Sequence, residues 1–547
     1  MALELNEWEI WHTYTTYLDS GPLDLQKGAE SLLESGVALC AMQSTGRTYW
    51  RTDDGIGRGV TNVDINAVEG SSSFALIRDE QTQALPDGFA LEAWGQAAYF
   101  IIGEQRVLGD SAALSDAYVR AHLGKCVVTK KGKDGLTSHL NLYPVLIVYE
   151  SGVVILEFRM IGPNTPVESA KFIDGGVNLF RESFSQVEVN PGLARGATTA
   201  YYRSSRPGFF QRVRMLWLQG PHDLAIKQRT KEHTDDDFSF ELSRWSGQTD
   251  NLRSIALTIF HTCAFLIIGP RRGLSFLLFG QPAPPDLGQF WSGRPHIHLI
   301  RFQDQQETAT ENETRHGVEF ARILARASST GTNVRMGLPK DARLFEDYSA
   351  YVTCASSLWV WSRKGLKEQA QWEDLNRGNF IYERQAIMEL LEYGYMLHRG
   401  LYHRVEQLRS TAQVMAMRKD ILRLRLRMRE ASHAGEIREL LESGWKEFGL
   451  PALVAEIESA LALRESEMRS VDNLRATRVG WAIATVFGFV AVPALADQIV
   501  LPFWNLLKIH PVTDVLKAKL IADGVAMLSI LFVLVLTLSL FSWRRKS

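Results

Sequence analysis

Val479–Leu495 reads VGWAIATVFGFVAVPAL and Gly524–Trp543 reads GVAMLSILFVLVLTLSLFSW, and neither run carries a charge. The second has the length that a hydrocarbon core asks of a helix, about 20 residues. The first is nearer the lower limit, and IVLPFWNLL beyond Asp497 extends it. The pair predicts two membrane spans rather than the buried hairpin of a soluble core. Arg475 and Arg478 precede the first run, Arg544, Arg545 and Lys546 follow the second, and Lys508, Lys517 and Lys519 lie between. That excess of basic residues outside the hairpin predicts both termini in the cytoplasm of a multi-pass protein of the inner or plasma membrane. Trp481, Trp504 and Trp543 fall near the expected interfaces, where amphipathic rings sit.

Outward from this hairpin the chain reads differently. Over 547 residues, Lys+Arg is 60 and Asp+Glu is 62, a net charge of −2. Such balance argues against a nucleic-acid partner and against an acidic disordered chain. Hydrophobic residues make up 46% and charged residues 22%, ordinary for a soluble globular body. The mean hydropathy of −0.10 excludes a transporter made mostly of membrane helices. Cys40, Cys126, Cys263 and Cys354 are far apart, which predicts free thiols and neither a disulfide framework nor a zinc site. The start, MALELNEWEIWHTY, lacks the basic stretch and apolar run of a cleavable signal.

Residues 1–315 mix strand and helix signals, so an α/β or α+β body with a substantially buried sheet is expected, with room for two subdomains. Val145–Tyr149 and Val153–Phe158 flank Glu150-Ser151-Gly152 as a hairpin. Phe265–Ile268 and Leu274–Phe279 flank GPRRG as a second. Ile255–Gly269 is apolar but too short for a span, and reads as buried sheet or core helix. His296–Phe302 reads as a strand, with His296 and His298 on one face. Gln303–Thr314, polar and acidic, reads as a linker.

Residues 316–450 read as a helical region. Ile387, Leu391, Gly394, His398, Leu401, Val405 and Leu408 step by four and three, a heptad-like seam. MRKDILRLRLRMRE over Met417–Glu430 alternates like a strand, but its helical context predicts a helix. Gly435 and Gly449-Leu450-Pro451 read as breaks. From Pro451 no breaker appears before Gly480, so one helix is expected over 451–496, roughly 69 Å long at 1.5 Å per residue. It would serve as a stalk that becomes the first span at about 479–496. A loop over 497–523, external by the orientation above, a second span over 524–543 and a basic tail over 544–547 complete the plan.

This order of parts resembles the CorA superfamily of divalent-cation channels and transporters. The likeness covers about the last third of the chain and rests on architecture. It implies a homo-oligomer, a pentamer in that family, with the first span lining a central pore. It also implies Mg²⁺ or another divalent cation, as transported or regulatory ion. The family's Gly-Met-Asn tripeptide is missing, and its place reads Ala494-Leu495-Ala496-Asp497-Gln498. The selectivity ring of that motif therefore does not carry over. The body ahead of the stalk is larger than the family's, with room for another regulatory input.

Within the first span, Gly480, Ala484 and Gly488 repeat at helical spacing, which serves close packing or a pore-facing stripe. Thr485 offers a hydroxyl to a lumen, and Pro493 a kink or gate near the outer end. Asp497 and Gln498 are the best candidates for a pore mouth, because an oligomer repeats them as a ring that attracts cations. Arg418, Lys419, Arg423, Arg425, Arg427 and Arg429 form the densest basic cluster, suited to a small cytosolic ligand or to membrane lipid. Asp235, Asp236 and Asp237 are weak metal candidates, with a solvated loop as the plainer alternative. No catalytic motif stands out: Gly55-Ile56-Gly57-Arg58-Gly59 lacks dinucleotide-binding spacing and reads as a turn. The expected function is thus an ion channel or transporter, without enzymatic activity or a bound cofactor, gated by its body. A ligand-triggered membrane effector of stress or defence, and a membrane-anchored scaffold without conductance, are the alternatives.

Overall fold

The computed structural model describes residues 3–52, 55–66, 71–78, 93–101, 116–131, 137–163, 165–204, 208–217, 240–241, 251–269, 273–280, 290–328, 337–343, 345–371, 378–429, 435–508 and 515–543. The chain divides into two compact units. The first holds Met1–Gln407 with Ala416–Ser459, and the second Leu408–Met415 with Ala460–Ser547.

In the first unit fifteen strands are recorded. In chain order they are β1 Glu4–Tyr17, β2 Cys40–Gln43, β3 Arg47–Thr52, β4 Gly55–Asn66, β5 Ser71–Arg78, β6 Tyr118–His122, β7 Cys126–Lys131, β8 Thr137–Tyr149 and β9 Val153–Ile161. The rest are β10 Val167–Glu168, β11 Gln186–Val189, β12 Phe240–Glu241, β13 Trp291–Phe302, β14 Tyr348–Val352 and β15 Ser357–Trp361. The main path across the sheet is β14-β15-β13-β1-β9-β8-β6-β2-β3-β4-β5. β13 and β15 pair parallel, and their neighbours pair antiparallel. This makes the body α+β rather than a doubly wound parallel fold.

The β8–β9 hairpin forms as its sequence predicts, with Val148 opposite Val154. The other expected hairpin does not. Leu252–Ile268 and Gly273–Phe279 are both helical. The first of them buries Ile255, Ile259, Phe260 and Cys263, and Asn251 caps it in a capping box with Ser254. The expected linker ends early, because Thr308 and Glu311 form a capping box that starts a helix at Ala309. The boundary at 315 cuts through the sheet: β13 pairs with β15 beyond it, so the expected helical region over 316–450 also carries strands. The glycine-rich stretch 55–59 is no turn but part of β4. A Cβ on Gly57 would lie 2.3 Å from the Trp50 ring, so only glycine lets that indole rest on the neighbouring strand.

Both faces of the sheet are covered. One face is apolar: Ile10, Tyr14, Leu146, Leu156, Phe158 and Leu299 pack with Leu32, Phe260 and Phe320 of the helices above it. Each such side chain contributes about 1.5–3 kcal/mol by leaving water. The opposite face meets Gly378–Val405, here called the cover helix. Its seam residues Ile387, Leu391, His398 and Val405 are buried as the heptad pattern predicts. Met417–Arg429 is helical, within Thr411–Arg429. Gly435–Glu447 follows as a bracket helix packed on the cover helix.

The stalk helix runs Leu450–Leu495, one residue from its expected bounds. It does not stop there. A π-helical turn at Ala496–Val500 and a helix at Leu501–Leu507 continue it, so the expected loop over 497–523 begins as helix. Pro502 has no N–H to give to the carbonyl of Gln498, so the α-helical ladder is interrupted within that turn, whereas the bond that Pro493 lacks would run back to Phe489 and the helix stays regular past it. The last helix starts at Val515, nine residues before the expected second span, and ends at Trp543.

Candidate functional site

The face under the cover helix is charged and buried. Strand residues alternate sides, so every second residue of each strand reaches it. Register then aligns them in rows. Arg294, Thr13 and Glu157 are cross-strand neighbours, as are His296, Trp11 and Arg159. His298 stands beside Glu9, and Arg120 and His122 come from β6. From above, the cover helix brings Gln385, Glu389 and Glu392 at steps of four and three, one stripe of its surface. All of these side chains are buried.

The contacts are specific. Arg159 grips Glu9 through Nε to Oε1 at 2.6 Å and Nη2 to Oε2 at 3.1 Å. Arg120 pairs with Glu389, lies 4.0 Å from Glu157 Oε2, and stacks 3.6 Å above the Phe100 ring. Gln385 donates to Glu157 Oε1 at 2.6 Å. Arg294 Nη1 lies 3.2 Å from Glu392 Oε1, and His296 Nε2 lies 3.7 Å from the same oxygen. His296 Nδ1 hydrogen-bonds with Ser357 Oγ at 2.7 Å. The His298 ring stacks on Trp359 with centroids 6.2 Å apart.

Burial sets the charge states. It pushes the Glu157 carboxyl well above its usual range, and Glu389 beside it adds to the shift. Burial, then the guanidinium of Arg120, holds His122 down to about 3. His298 is held at about 3 by burial and by His296. Burial also lowers His296, against the pull of Glu392. Around Glu157, the guanidiniums of Arg120, Arg159 and Arg294 pair with Glu389, Glu9 and Glu392 in turn. Glu157 Oε2 and Glu389 Oε1, and Gln385 Oε1 and the His298 ring, face one another without full hydrogen-bond geometry. A layer this polar, with donors and acceptors short of full pairing, is more costly than an apolar one and is the body's candidate functional site.

The layer was not expected from the sequence, although His296 and His298 were placed on one face. The available signal was period-two polarity in strands buried on both faces. Glu9-x-Trp11-x-Thr13, Glu157-x-Arg159 and Arg294-x-His296-x-His298 all show it. His398 is the hydrogen-bonded core histidine that the seam predicts, with Nδ1 2.7 Å from Gly394 O.

In the second unit, Leu450–Leu507 contains a stretch long and apolar enough to cross a membrane, with mean hydropathy 2.0. Only 11% of that stretch is buried, so it is no core helix. Ala496 packs with Ala522 and Ala526 of the last helix. Ala484 lines an apolar groove of about 500 Å³ with Trp481, Leu495 and Ile530. A Cβ on Gly488 would come 3.0 Å from Ile530, whereas Gly480 has nothing near it. Thr485 donates to Trp481 O at 2.8 Å, so its hydroxyl is used on its own helix. Asp497 is exposed and accepts from Lys519 Nζ at 3.0 Å; Gln498 is exposed beside it.

Arg418 and Lys419 lie on the helix Thr411–Arg429, where Arg423 is 4.0 Å from Asp420. The side chains of Arg425, Arg427 and Arg429 lie outside the described ones, as do Asp235, Asp236 and Asp237 entirely. Among the described residues no group of three His, Cys, Asp or Glu could hold a metal ion. All four cysteines are free, and Cys354 is exposed.

Fold and site together define a mixed-sheet body with a buried charged layer, joined to a helix of membrane-crossing length. Comparison with known protein families, with curated proteins and with solved structures found no match.

Proposed function

We propose that the protein is an oligomeric membrane channel for cations, built on the CorA plan and gated by its body. The observation that carries this reading is the helix Leu450–Leu507. Its first turns belong to the buried core of the body through Leu450, Val454 and Ile457. Its later turns expose Val486, Phe487 and Val490, which water would not favour and lipid would. In an oligomer Asp497 and Gln498 ring the outer mouth. Both termini face the cytoplasm, and the last helix is the second span.

The test is cation flux into liposomes holding the purified full chain. Cation-selective flux is expected, and Asp497→Ala should reduce its preference for cations over anions about tenfold, the effect of losing a carboxylate ring. Unchanged selectivity in that variant removes Asp497 from the mechanism. No flux under any condition leaves the scaffold.

The ion pair of Asp497 with Lys519 favours a second reading. A mouth carboxylate neutralised within its own chain selects weakly, as expected of a triggered effector that permeabilises the membrane. Depolarisation of expressing cells only under a stress signal, without ion preference, would support that reading over the first.

A further inference from the structure

The polar layer and the foot of the stalk helix share one residue. Arg294 projects from β13, a central strand, and is ion-paired with Glu392 of the cover helix at 3.2 Å. Its guanidinium also makes an aromatic contact, 3.5 Å above the Phe448 ring. Phe448 ends the bracket segment immediately before Gly449, whose φ of +75° sets the break between that segment and the stalk. Leu453 N donates to Gly449 O, so the first turn of the stalk is hydrogen-bonded to that glycine. The bracket helix itself cannot move freely from the cover helix. Gly444 packs so closely on Leu391 that a Cβ there would lie 2.6 Å from Leu391 Cδ1. Trp445, Phe448, Leu450 and Val454 complete one core with Leu391, Trp359 and Trp361.

We infer that Arg294 is a positioning residue that latches the root of the membrane helix to the buried charged layer. Its contacts with Glu392 and with the Phe448 ring must be met by one geometry of the guanidinium. A change in Glu392, or a shift of the cover helix that carries it, pulls the cation off the Phe448 ring. Cation–aromatic contacts gain most when desolvated, as here, so the contact is strong while the layer is closed and lost when it opens. The stalk is one continuous helix from Leu450 to Leu495. A release at Phe448-Gly449 therefore acts on the membrane-crossing segment without new contacts. This rests on the channel reading only for its consequence; the latch itself is a property of the body.

The test uses the full chain in detergent micelles and in liposomes. Phe448→Leu keeps an apolar side chain and leaves Arg294 its carboxylate. Arg294→Met with Glu392→Gln removes both charges together, which avoids stranding one of them. Amide hydrogen exchange is followed over 450–458 and, as internal control, over Leu252–Ile268 on the far side of the sheet. In both variants the root should exchange about tenfold faster while the control helix stays within about twofold. Equal acceleration in both segments, or none at the root, overturns the latch. Potassium leak from the liposomes is read in parallel and should rise as the root loosens. Root acceleration without altered leak keeps the latch and sinks the channel reading.

Discussion

Arg120→Met is expected to destabilise the body by about 3–5 kcal/mol, the range seen when one partner of a buried ion pair is removed. Arg120 is 2% exposed and pairs with Glu389, itself 6% exposed. Methionine fills much of the volume and keeps contact with Phe100. What is lost is the only cation paired with Glu389 among the contacts recorded for it. The sign of the pH dependence follows. A buried carboxyl that loses its cation has a folded pKa above its ordinary 4.5, and burial already raises Glu157 in the same layer despite its partners. Its favourable contribution is present in full below 4.5 and is lost as pH rises, so the deficit of the variant should grow from acid toward neutral pH. Adding Glu389→Leu should restore most of the loss, because two apolar groups replace the pair. Urea unfolding of the solubilised protein, followed by tryptophan fluorescence, measures all three. A loss below about 0.5 kcal/mol for the single variant, as for a surface pair, would mean that water reaches this layer.

What the sequence disclosed depended on how each segment is buried. The stalk was legible to within one residue because an uninterrupted helical pattern needs no partner to be recognised. The β8–β9 hairpin was legible from Gly152 between two β-branched runs. Phe265–Ile268 and Leu274–Phe279 were misread for a physical reason. A short apolar run flanked by Gly and Pro suits a strand or a helix equally; Leu266 and Ile267 join the apolar core as helix, whereas Leu274, Leu278 and Phe279 are exposed and no packing marks their helix. Pro493 lies inside the continuous helix, and the π-turn that follows at Ala496–Val500 was not legible. The charged layer was hidden because Glu9, Glu157 and Arg294 are far apart in sequence. Only the register of β1 against β9 and β13 brings them into rows. The mouth candidate Asp497 was legible as an interruption of an apolar run. Its partner Lys519 was not, since it lies 22 residues further along the chain.

Acid should weaken the body steeply, and the histidines give the slope. His12, His122 and His298 are each held at about 3 in the fold, mainly by burial, against an ordinary value of 6.5. Above 6.5 all are neutral in both states and their contribution is complete. As pH falls from there toward 3, the unfolded chain takes up protons that the folded chain refuses, and stability is lost. Each histidine costs up to about 1.4 kcal/mol per pH unit, so together they approach about 4 kcal/mol per unit. Glu157 acts in the opposite sense between 4.5 and its raised value, but it is one group against three. Between pH 6.5 and 5 the three histidines remove about 5 kcal/mol and Glu157 returns up to about 2, a net loss of about 3 kcal/mol, a large part of the stability of many domains. Urea midpoints measured across this range should drop accordingly, and His298→Gln should lessen the slope by about a third. A flat profile would show that these histidines are solvated. Where the structure opens first is a separate and sharper outcome. His122 and His298 lie under the cover helix, while His12 faces the apolar side near Gly176. Protonating the first two repels Arg120, Arg159 and Arg384, the cations that face them. Amide exchange at pH 5 should therefore rise in Gly378–Val405 before it rises in Leu252–Ile268.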